Sequence, residues 1–214
     1  MHAELLEHEY VGSLHYYACA LQTLFNSQIL FRTYLPMKKI NVIGTSGSGK
    51  SHFSKRLAKK LDIPYIEMDA ILWQPDWQQL ENAAFLLAIQ EIVSQPSFVL
   101  DGNHSKTSSI KWSAIDTIIW LDLGFWRTFL QVLMRSIKRA HTQQEIWEGT
   151  GNKESFRRNF FTSKSVILWM LKNYWKTKSK YRILFKEKSS SNITLVRLTS
   201  RADVEAFLRN VERT

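Results

Sequence analysis

Cysteine is almost missing from this chain, and so is any long apolar run. Cys19 is the single cysteine among 214 residues, which excludes an internal disulfide framework and a thiolate metal site. The sequence shows no recognisable signal peptide, and polar residues interrupt even its most apolar stretch, residues 10–35. We therefore expect no membrane association and a place in the reducing cytoplasm.

The signatures of common metal-binding and DNA-reading modules are also missing. The six histidines are scattered without metal-ligand spacing. There is no internal repeat, no helix-turn-helix and no zinc module. A protein that reads DNA sequence therefore has no visible scaffold here.

Acidic residues are scarce in one segment of the chain. The net charge is +10, and residues 126–188 hold 15 Lys and Arg against 4 Asp and Glu. That segment carries +11 and leaves −1 for the rest of the chain. A near-neutral body with one basic segment indicates either an anionic partner or a solvated basic surface.

A phosphate-binding loop is the strongest feature that is present. Residues 44–51 read GTSGSGKS, a full match to the Walker A pattern G-x-x-x-x-G-K-[ST]. A strand-like apolar run precedes the loop at 40–43, and apolar residues recur at helical spacing at 53–61. This context distinguishes a phosphate loop from a Gly/Ser turn before a basic helix. We therefore predict nucleotide binding, with ATP and Mg²⁺ as cofactors.

Each residue type in the loop suits a phosphate ligand. Glycines let successive backbone N–H groups turn inward, and the following helix adds its positive dipole end. Lys50 would reach the β- and γ-phosphates, and the Ser51 hydroxyl would ligate Mg²⁺. The predicted nucleotide-binding residues are Gly44, Ser46, Gly47, Ser48, Gly49, Lys50, Ser51 and His52.

Strand-like and helix-like segments alternate through the rest of the chain. This alternation indicates one α/β domain, a parallel sheet with helices on both faces and its site at the carboxyl ends of the strands. Further strands are predicted within 63–73, 97–106, 114–124 and 191–200, and helices at 80–93, 125–139 and 202–211.

Three aspartates stand at or just beyond the ends of predicted strands. Asp69 is either a carboxylate that orients or deprotonates a phosphate acceptor, as in the small-molecule kinases that this pattern resembles, or a helix cap or turn residue. Asp101 and Asp122 both compete to hold Mg²⁺ through water. We favour Asp101, because its LDG context resembles kinases and places Gly102 where the backbone must approach phosphate.

Two pairs of arginines in the basic segment are candidates for phosphate contacts. Arg135 and Arg139 lie four residues apart, so one face of a helix presents both. Their planar guanidinium groups suit oxygens on which charge is redistributed during phosphoryl transfer. Arg157 and Arg158 could close over the same phosphates. A solvated basic face is the alternative for both pairs.

The motifs as a set resemble the small P-loop proteins of the adenylate-kinase-like, or DNA-topology-modulation, family. The resemblance covers nearly all of residues 38–210 and none of the first thirty-six. Besides the phosphate loop it rests, in order, on IEMDAILW, FVLDGNHS, DTIIWLDLGFWRTFLQVLMRSIKR, EIWEGTGNKESFRRNFF and VRLTSRADVEAFL.

The resemblance implies more than the motifs do by themselves. Wider similarity to nucleoside monophosphate kinases implies a P-loop NTPase fold with three α/β/α layers, strand order 2-3-1-4-5, and a helical, basic lid at about 140–188. It implies Lys50, Asp69, Arg135 and Arg139 as catalytic residues. The chain departs from adenylate kinases after LDG, where Asn103, His104 and Lys106 replace an expected arginine, and His52 replaces the family's usual threonine.

Two functions fit these features. The first is an Mg²⁺-ATP-dependent kinase for a small anionic acceptor, a nucleotide or similar metabolite, in which Trp73 and Trp77 could line the acceptor pocket and Lys176, Lys178 and Lys180 form a solvated face. The second is a nucleotide-regulated, DNA-associated protein that binds through residues 153–188. We favour the kinase and expect a monomer or weak dimer.

The segment before the phosphate-loop domain of residues 37–214 has no clear pattern. Residues 1–36 show no sharp amphipathic period, and they end at Pro36 directly before Met37. We expect Met37 to be the physiological start and residues 1–36 to be translated upstream sequence. A helical extension that packs on the domain is the alternative.

Overall fold

The computed structural model describes residues 37–162, 165–189 and 191–212 of the chain. The expectation for residues 1–36 lies outside the described residues. The side chains of Arg158, Phe160 and Phe161 also lie outside them. The described residues belong to one unit that begins at Met37.

Five strands form one parallel sheet in the order β2-β3-β1-β4-β5, which confirms the predicted fold class and strand order. Because every pairing is parallel, the carboxyl ends of the strands meet at one edge, from which the phosphate loop leaves β1. The strands are β1 Lys39–Gly44, β2 Tyr65–Glu67, β3 Phe98–Asp101, β4 Thr117–Leu121 and β5 Thr194–Leu198.

Helices connect the strands and cover the sheet. Two short 3₁₀ turns, Pro75–Trp77 and Ser105–Thr107, lie among them on the carboxyl side of β2 and β3. The described helices are α1 Lys50–Leu61, α2 Met68–Leu72, α3 Asn82–Ser94, α4 Ser108–Ala114, α5 Phe125–Thr142, α6 Phe156–Phe161, α7 Val166–Lys188 and α8 Arg201–Asn210.

The second strand is shorter than its apolar run predicts. β2 ends at Glu67, opposite Asp101 at the end of its neighbour β3, and helix α2 begins at the next residue. Asp69 therefore lies not in a loop but in the first turn of α2, where a carboxylate interacts favourably with the helix dipole. The N–H of Trp73 then donates to the Asp69 carbonyl at 3.0 Å, where the short helix ends.

Alternating side chains of the buried strands form a core on each face of the sheet. On one face Val42 packs with Phe53 and Leu57 of α1 and with Phe207 of α8. On the other face Ile43 and Leu100 pack with Phe85 and Ile89 of α3 and with Tyr181 of α7.

The segment between β4 and β5 is helical throughout most of its length, as predicted for an insert after the fourth strand. Val132 of α5 and Ile167, Met170 and Tyr174 at and near the start of α7 form a third buried cluster. The Tyr174 hydroxyl donates to the Leu123 carbonyl at 2.7 Å, just beyond β4, so these helices are fixed to the carboxyl edge of the sheet. None of the described helices combines the length and apolarity needed to cross a membrane.

Candidate active site

The phosphate loop takes a shape that requires glycine at two positions. Gly47 has φ 81° and Gly49 has φ 86°, the left-handed region that other residues avoid. A Cβ on Gly47 would lie 2.1 Å from Val132 Cγ2 and 3.0 Å from the Thr128 carbonyl oxygen. Helix α5 therefore packs directly against the loop and fixes its curvature.

The amino end of α1 is open toward the loop. Gly49 is its N-cap, no side chain caps its amides, and its first turn contains no acidic residue. Thr45 Oγ1 and Ser48 Oγ are buried without a hydrogen-bond partner. Free amides and unpartnered hydroxyls at a helix amino end are the donors that a phosphate needs.

Lys50 begins α1 and folds back over the loop. Its Nζ donates to the Thr45 carbonyl at 3.1 Å. Burial lowers the pKa of Lys50, while the carboxylates of Asp101 and Asp69 act in the opposite sense. The ammonium therefore faces both the loop and the acidic groups of the site, where it can bridge to phosphate oxygens.

Ser51 and Asp101, the two predicted Mg²⁺ ligands, lie side by side. The Ser51 hydroxyl bonds the Asp101 carboxyl, and Tyr65 Oη donates to Asp101 Oδ2 at 3.2 Å. Burial raises the pKa of Asp101, and Lys50 and Ser51 offset part of this rise. Asp101 Oδ1 is buried without a hydrogen-bond partner, so one carboxylate oxygen remains for a cation or its water shell.

Asp122, the other candidate for the Mg²⁺ site, forms ion pairs with two cations instead. Its carboxylate is 2.7 Å from Lys178 Nζ and accepts from Arg197 Nε at 2.9 Å. These two cations come from α7 and β5, so Asp122 ties the insert to the edge strand. The prediction that Lys178 belongs to a solvated face is therefore wrong, because its side chain is only 12% exposed.

Asp69 forms a pair that the sequence did not reveal. Its Oδ1 lies 2.9 Å from His104 Nε2, and the His104 ring meets Phe85 edge-on at 5.5 Å. Burial raises the pKa of Asp69, but His104, Lys50 and Arg135 outweigh it and lower the pKa overall. Since the Asp69 side chain is 52% exposed, water screens part of this field. The carboxylate is therefore ionised and accessible at neutral pH.

Glu67 is a site residue that the sequence did not predict. It ends β2 beside Asp101 in the register of the sheet. Its carboxylate accepts from Tyr65 Oη at 3.0 Å and from Trp147 Nε1 at 3.1 Å. Its position at a strand end was the available signal, but its contact with Trp147 depends on the insert folding back over β2.

Trp147 joins the insert to the segment that follows α2. Its ring stacks on Trp73 at 6.4 Å and meets Trp77 edge-on at 6.1 Å. Asn152 strengthens this contact by accepting from the Trp77 N–H at 2.9 Å and donating to the Gln74 carbonyl at 2.9 Å. The tryptophans predicted for an acceptor pocket are thus held by the insert.

Arg135 and Arg139 share a helix but not an environment. Arg139 Nη1 pairs with Glu154 Oε1 at 3.0 Å, and Asn159 donates to the other Glu154 oxygen at 2.7 Å. Burial, with the nearby Arg139 charge, lowers the pKa of Arg135, and the Glu154, Asp69 and Glu67 charges act against this. Arg135 Nε is buried without a hydrogen-bond partner. Arg135 is therefore the guanidinium in reach of the site's charges.

Three further predicted residues are partly or fully exposed. His52 is exposed in the first turn of α1, Ser46 is half-buried in the loop, and Arg157 is exposed on α6. No group of three or more His, Cys, Asp and Glu side chains in the described part of the chain could hold a metal by itself. The donor set that is present suits an ion also held by phosphate oxygens, which is how Mg²⁺ is bound with nucleotides.

Comparison with known proteins supports the fold. No protein-family model matches the chain, and a search of curated proteins gives no match. A shikimate kinase from Bacteroides thetaiotaomicron is similar in structure, with a TM-score of 0.50 at 12% identity over 81% of this chain and 95% of that chain.

Two further solved structures cover the same share of this chain. A gluconokinase from Sinorhizobium meliloti 1021 is 18% identical, with 93% of that chain covered and a TM-score of 0.42. A sugar kinase from Janibacter sp. HTCC2649 is 13% identical, with 91% covered and a TM-score of 0.45. The finer resemblance to adenylate-kinase-like, DNA-topology-modulation proteins stays a prediction. The likeness to the shikimate kinase shows that the described domain shares the fold of that protein.

Proposed function

We propose that this protein is an ATP-dependent phosphotransferase that transfers the γ-phosphoryl group to a small acceptor. One observation carries the proposal. Lys50, Ser51 and Asp101 converge beside an uncapped helix amino end, and an unpartnered oxygen of Asp101 remains. The accessible Asp69–His104 pair lies next to them.

On the nucleotide side of the site, different residues bind the phosphates and the Mg²⁺ ion. The loop amides and Lys50 bind the phosphates, and Ser51 and Asp101 would hold Mg²⁺. When bound, Mg²⁺ neutralises charge on the β- and γ-phosphates. Arg135 interacts with the oxygens on which charge is redistributed during transfer. Arg139 contributes mainly through Glu154, by holding the helical insert in place.

The acceptor side centres on Asp69. Transfer forms a bond from the acceptor oxygen to the γ-phosphorus, breaks the bond between that phosphorus and the bridging oxygen, and releases ADP. Asp69, ionised at neutral pH, orients the acceptor hydroxyl and accepts its proton. We expect an anionic acceptor, a nucleotide or similar metabolite. Lys106, bound to Asn82 at 2.7 Å two residues after His104, supplies a nearby cation.

A DNA-associated role has one supporting observation. Trp169 and Trp175 of α7 are exposed, 52% and 63% respectively, and Lys172 and Lys176 are exposed on the same helix. Indoles among cations suit single-stranded nucleic acid. Against this, Tyr174 and Tyr181 of the same helix are buried, so these two aromatic rings cannot stack on bases.

The proposed function is tested with Lys50→Ala. We expect this variant to fold and to lose ATP-dependent turnover, because the change removes a charge aimed at phosphate and no core contact. Labelled ATP is incubated with a panel of nucleotides, phosphorylated metabolites and neutral polyols, and transfer to each acceptor is measured. Lys59→Ala, on an exposed position of the same helix, is the control. Full turnover in a folded Lys50→Ala protein would exclude phosphoryl transfer at this loop.

A further inference from the structure

A lysine is completely buried behind the acceptor side of the site. Lys111 of α4 has no exposed surface. It forms no ion pair with any carboxylate in the described residues. Burying a charged side chain without a partner is costly, and an apolar side chain would fill the same space at no such cost. The position therefore calls for an explanation beyond packing.

Neutral side chains from three parts of the fold surround the Lys111 ammonium. Its Nζ donates to Asn41 Oδ1 at 3.3 Å and to Asn103 Oδ1 at 3.3 Å, and it lies 3.9 Å from Met68 Sδ. The Trp112 ring is 4.9 Å from it. Lys111 thus links β1, the loop after β3 and the start of α2.

The geometry of Asn41 is fixed independently of Lys111. The amide nitrogen of Asn41 donates to the carbonyls of Leu100 and Gly102, each at 2.9 Å. These two bonds turn the amide oxygen toward Lys111. Asn41 lies in the central strand and is fully buried, so it gives the ammonium a rigid anchor.

The other two contacts of Lys111 flank the Asp69–His104 pair. Asn103 immediately precedes His104, and Met68 immediately precedes Asp69. Gly102, with φ 121°, brings the loop so close that a Cβ there would lie 3.1 Å from Met68 Cβ. Lys111 therefore bridges, from the protein interior, the two backbone segments whose side chains meet in the site.

We propose that Lys111 is a positioning residue that holds the loop after β3 against α2 and so fixes the Asp69–His104 pair for the acceptor. Its importance for turnover rests on the proposed kinase function, whereas its control of the pair's geometry does not. A long side chain with several donors can reach two amide oxygens at once, which an apolar residue at this position cannot do.

The charged and titratable groups around Lys111 give the proposal a pH signature. Burial, with the Lys180 charge from α7, lowers the pKa of Lys111 from 10.5 to about 7. Tyr181 of the same helix bonds Asn103, and Lys180 bonds Ser105 at 2.8 Å. Between pH 7 and 10.5 the unfolded chain binds the extra proton, so Lys111 makes stability rise with pH over that window. Below pH 7 both states are protonated, and this contribution is constant.

The experiment compares Lys111→Met with the wild type and with Lys186→Met, an exposed lysine of α7. We expect Lys111→Met to be at least as stable thermally as the wild type at pH 7, and its rise in stability from pH 7 to 10.5 to be flatter. The His104 ring signals in NMR should shift, because the pair loses its fixed geometry. For a molecule that the wild type phosphorylates, the kcat/KM of Lys111→Met should be roughly ten- to a hundredfold lower, and its affinity for ATP should be unchanged.

The NMR measurement separates the two proposals. If no acceptor is phosphorylated by the wild type, the kinase proposal fails, and the His104 signals still decide whether Lys111 positions the pair. Unchanged His104 signals in folded Lys111→Met would overturn the inference. If that variant does not fold, Asn103→Ala decides, since it breaks the contact to the loop and leaves Lys111 on Asn41. Shifted His104 signals in Asn103→Ala support the inference, and unchanged ones overturn it.

Discussion

Arg135 and Arg139 show how two identical residues one helical turn apart can differ in role. Arg139 is held by Glu154, whose side chain is only 7% exposed. The described residues provide no ion pair for Arg135, and the Asp69 and Glu67 charges act on it. We therefore propose that Arg135 contacts ligand phosphates, whereas Arg139 forms a structural ion pair with Glu154.

Separate substitutions of the two arginines should affect different properties, turnover for Arg135 and stability for Arg139. Arg135→Gln should lower turnover by roughly two to three orders of magnitude, as expected when one preorganised donor is removed, with little change in stability. Arg139→Gln leaves Glu154 without its cation and should lower the free energy of unfolding by about 1–3 kcal/mol. Turnover assays and urea unfolding on both variants measure this. Equal losses of turnover at unchanged stability would contradict the distinction.

At the scale of elements, the phosphate loop is shaped by a helix distant in sequence. Helix α5 places Val132 and Thr128 against Gly47, and the same helix carries Arg135 toward the site's charges. The start of helix α8 is set by local contacts instead, since Ser200 and Asp203 form a capping box at its amino end. The loop therefore depends on tertiary packing, whereas α8 has its own start signal.

Gly47→Ala tests the contact between α5 and the loop. Alanine is unfavourable in the left-handed backbone conformation of Gly47, and its Cβ would also collide with the Val132 side chain. Gly149→Ala is the matched control, because Gly149 has φ 80° with nothing within 4 Å of its Cβ position. The control should cost about 1–2 kcal/mol of unfolding free energy, and Gly47→Ala about 1–3 kcal/mol more. If urea unfolding shows the same loss of unfolding free energy in both variants, α5 moves away from the loop without a measurable cost.

At the scale of the whole molecule, some cations of the basic segment form internal ion pairs and others are exposed to solvent. Lys178 neutralises Asp122 and Arg139 neutralises Glu154. Lys172 and Lys176 are exposed on α7. A high net charge therefore overstates the cationic surface that remains for an anionic partner.

Replacing Lys172 and Lys176 together with glutamine separates the two candidate functions. Under the kinase proposal, turnover should not change, because both lysines are exposed on α7, outside the described site. If the surface binds DNA phosphates through both, the slope of log affinity against log salt should become less steep by about 2. Turnover and salt-titrated DNA binding are measured on the same samples. Lost turnover would show that this surface belongs to the kinase site.

The amino-acid sequence was enough to predict the phosphate loop, the parallel α/β class and the placement of Asp101 at a strand end, because these follow from local periodicity, glycine-rich turn chemistry and the rules of parallel sheets. The strand order, which the structure confirms, was implied by the family resemblance and not by the residue pattern. The sequence did not predict that Asp122 faces Lys178 and Arg197, that Asp69 pairs with His104, or that Trp147 reaches Glu67. Each of these contacts joins residues from separate elements, and their side-chain directions depend on how the helices pack over the sheet.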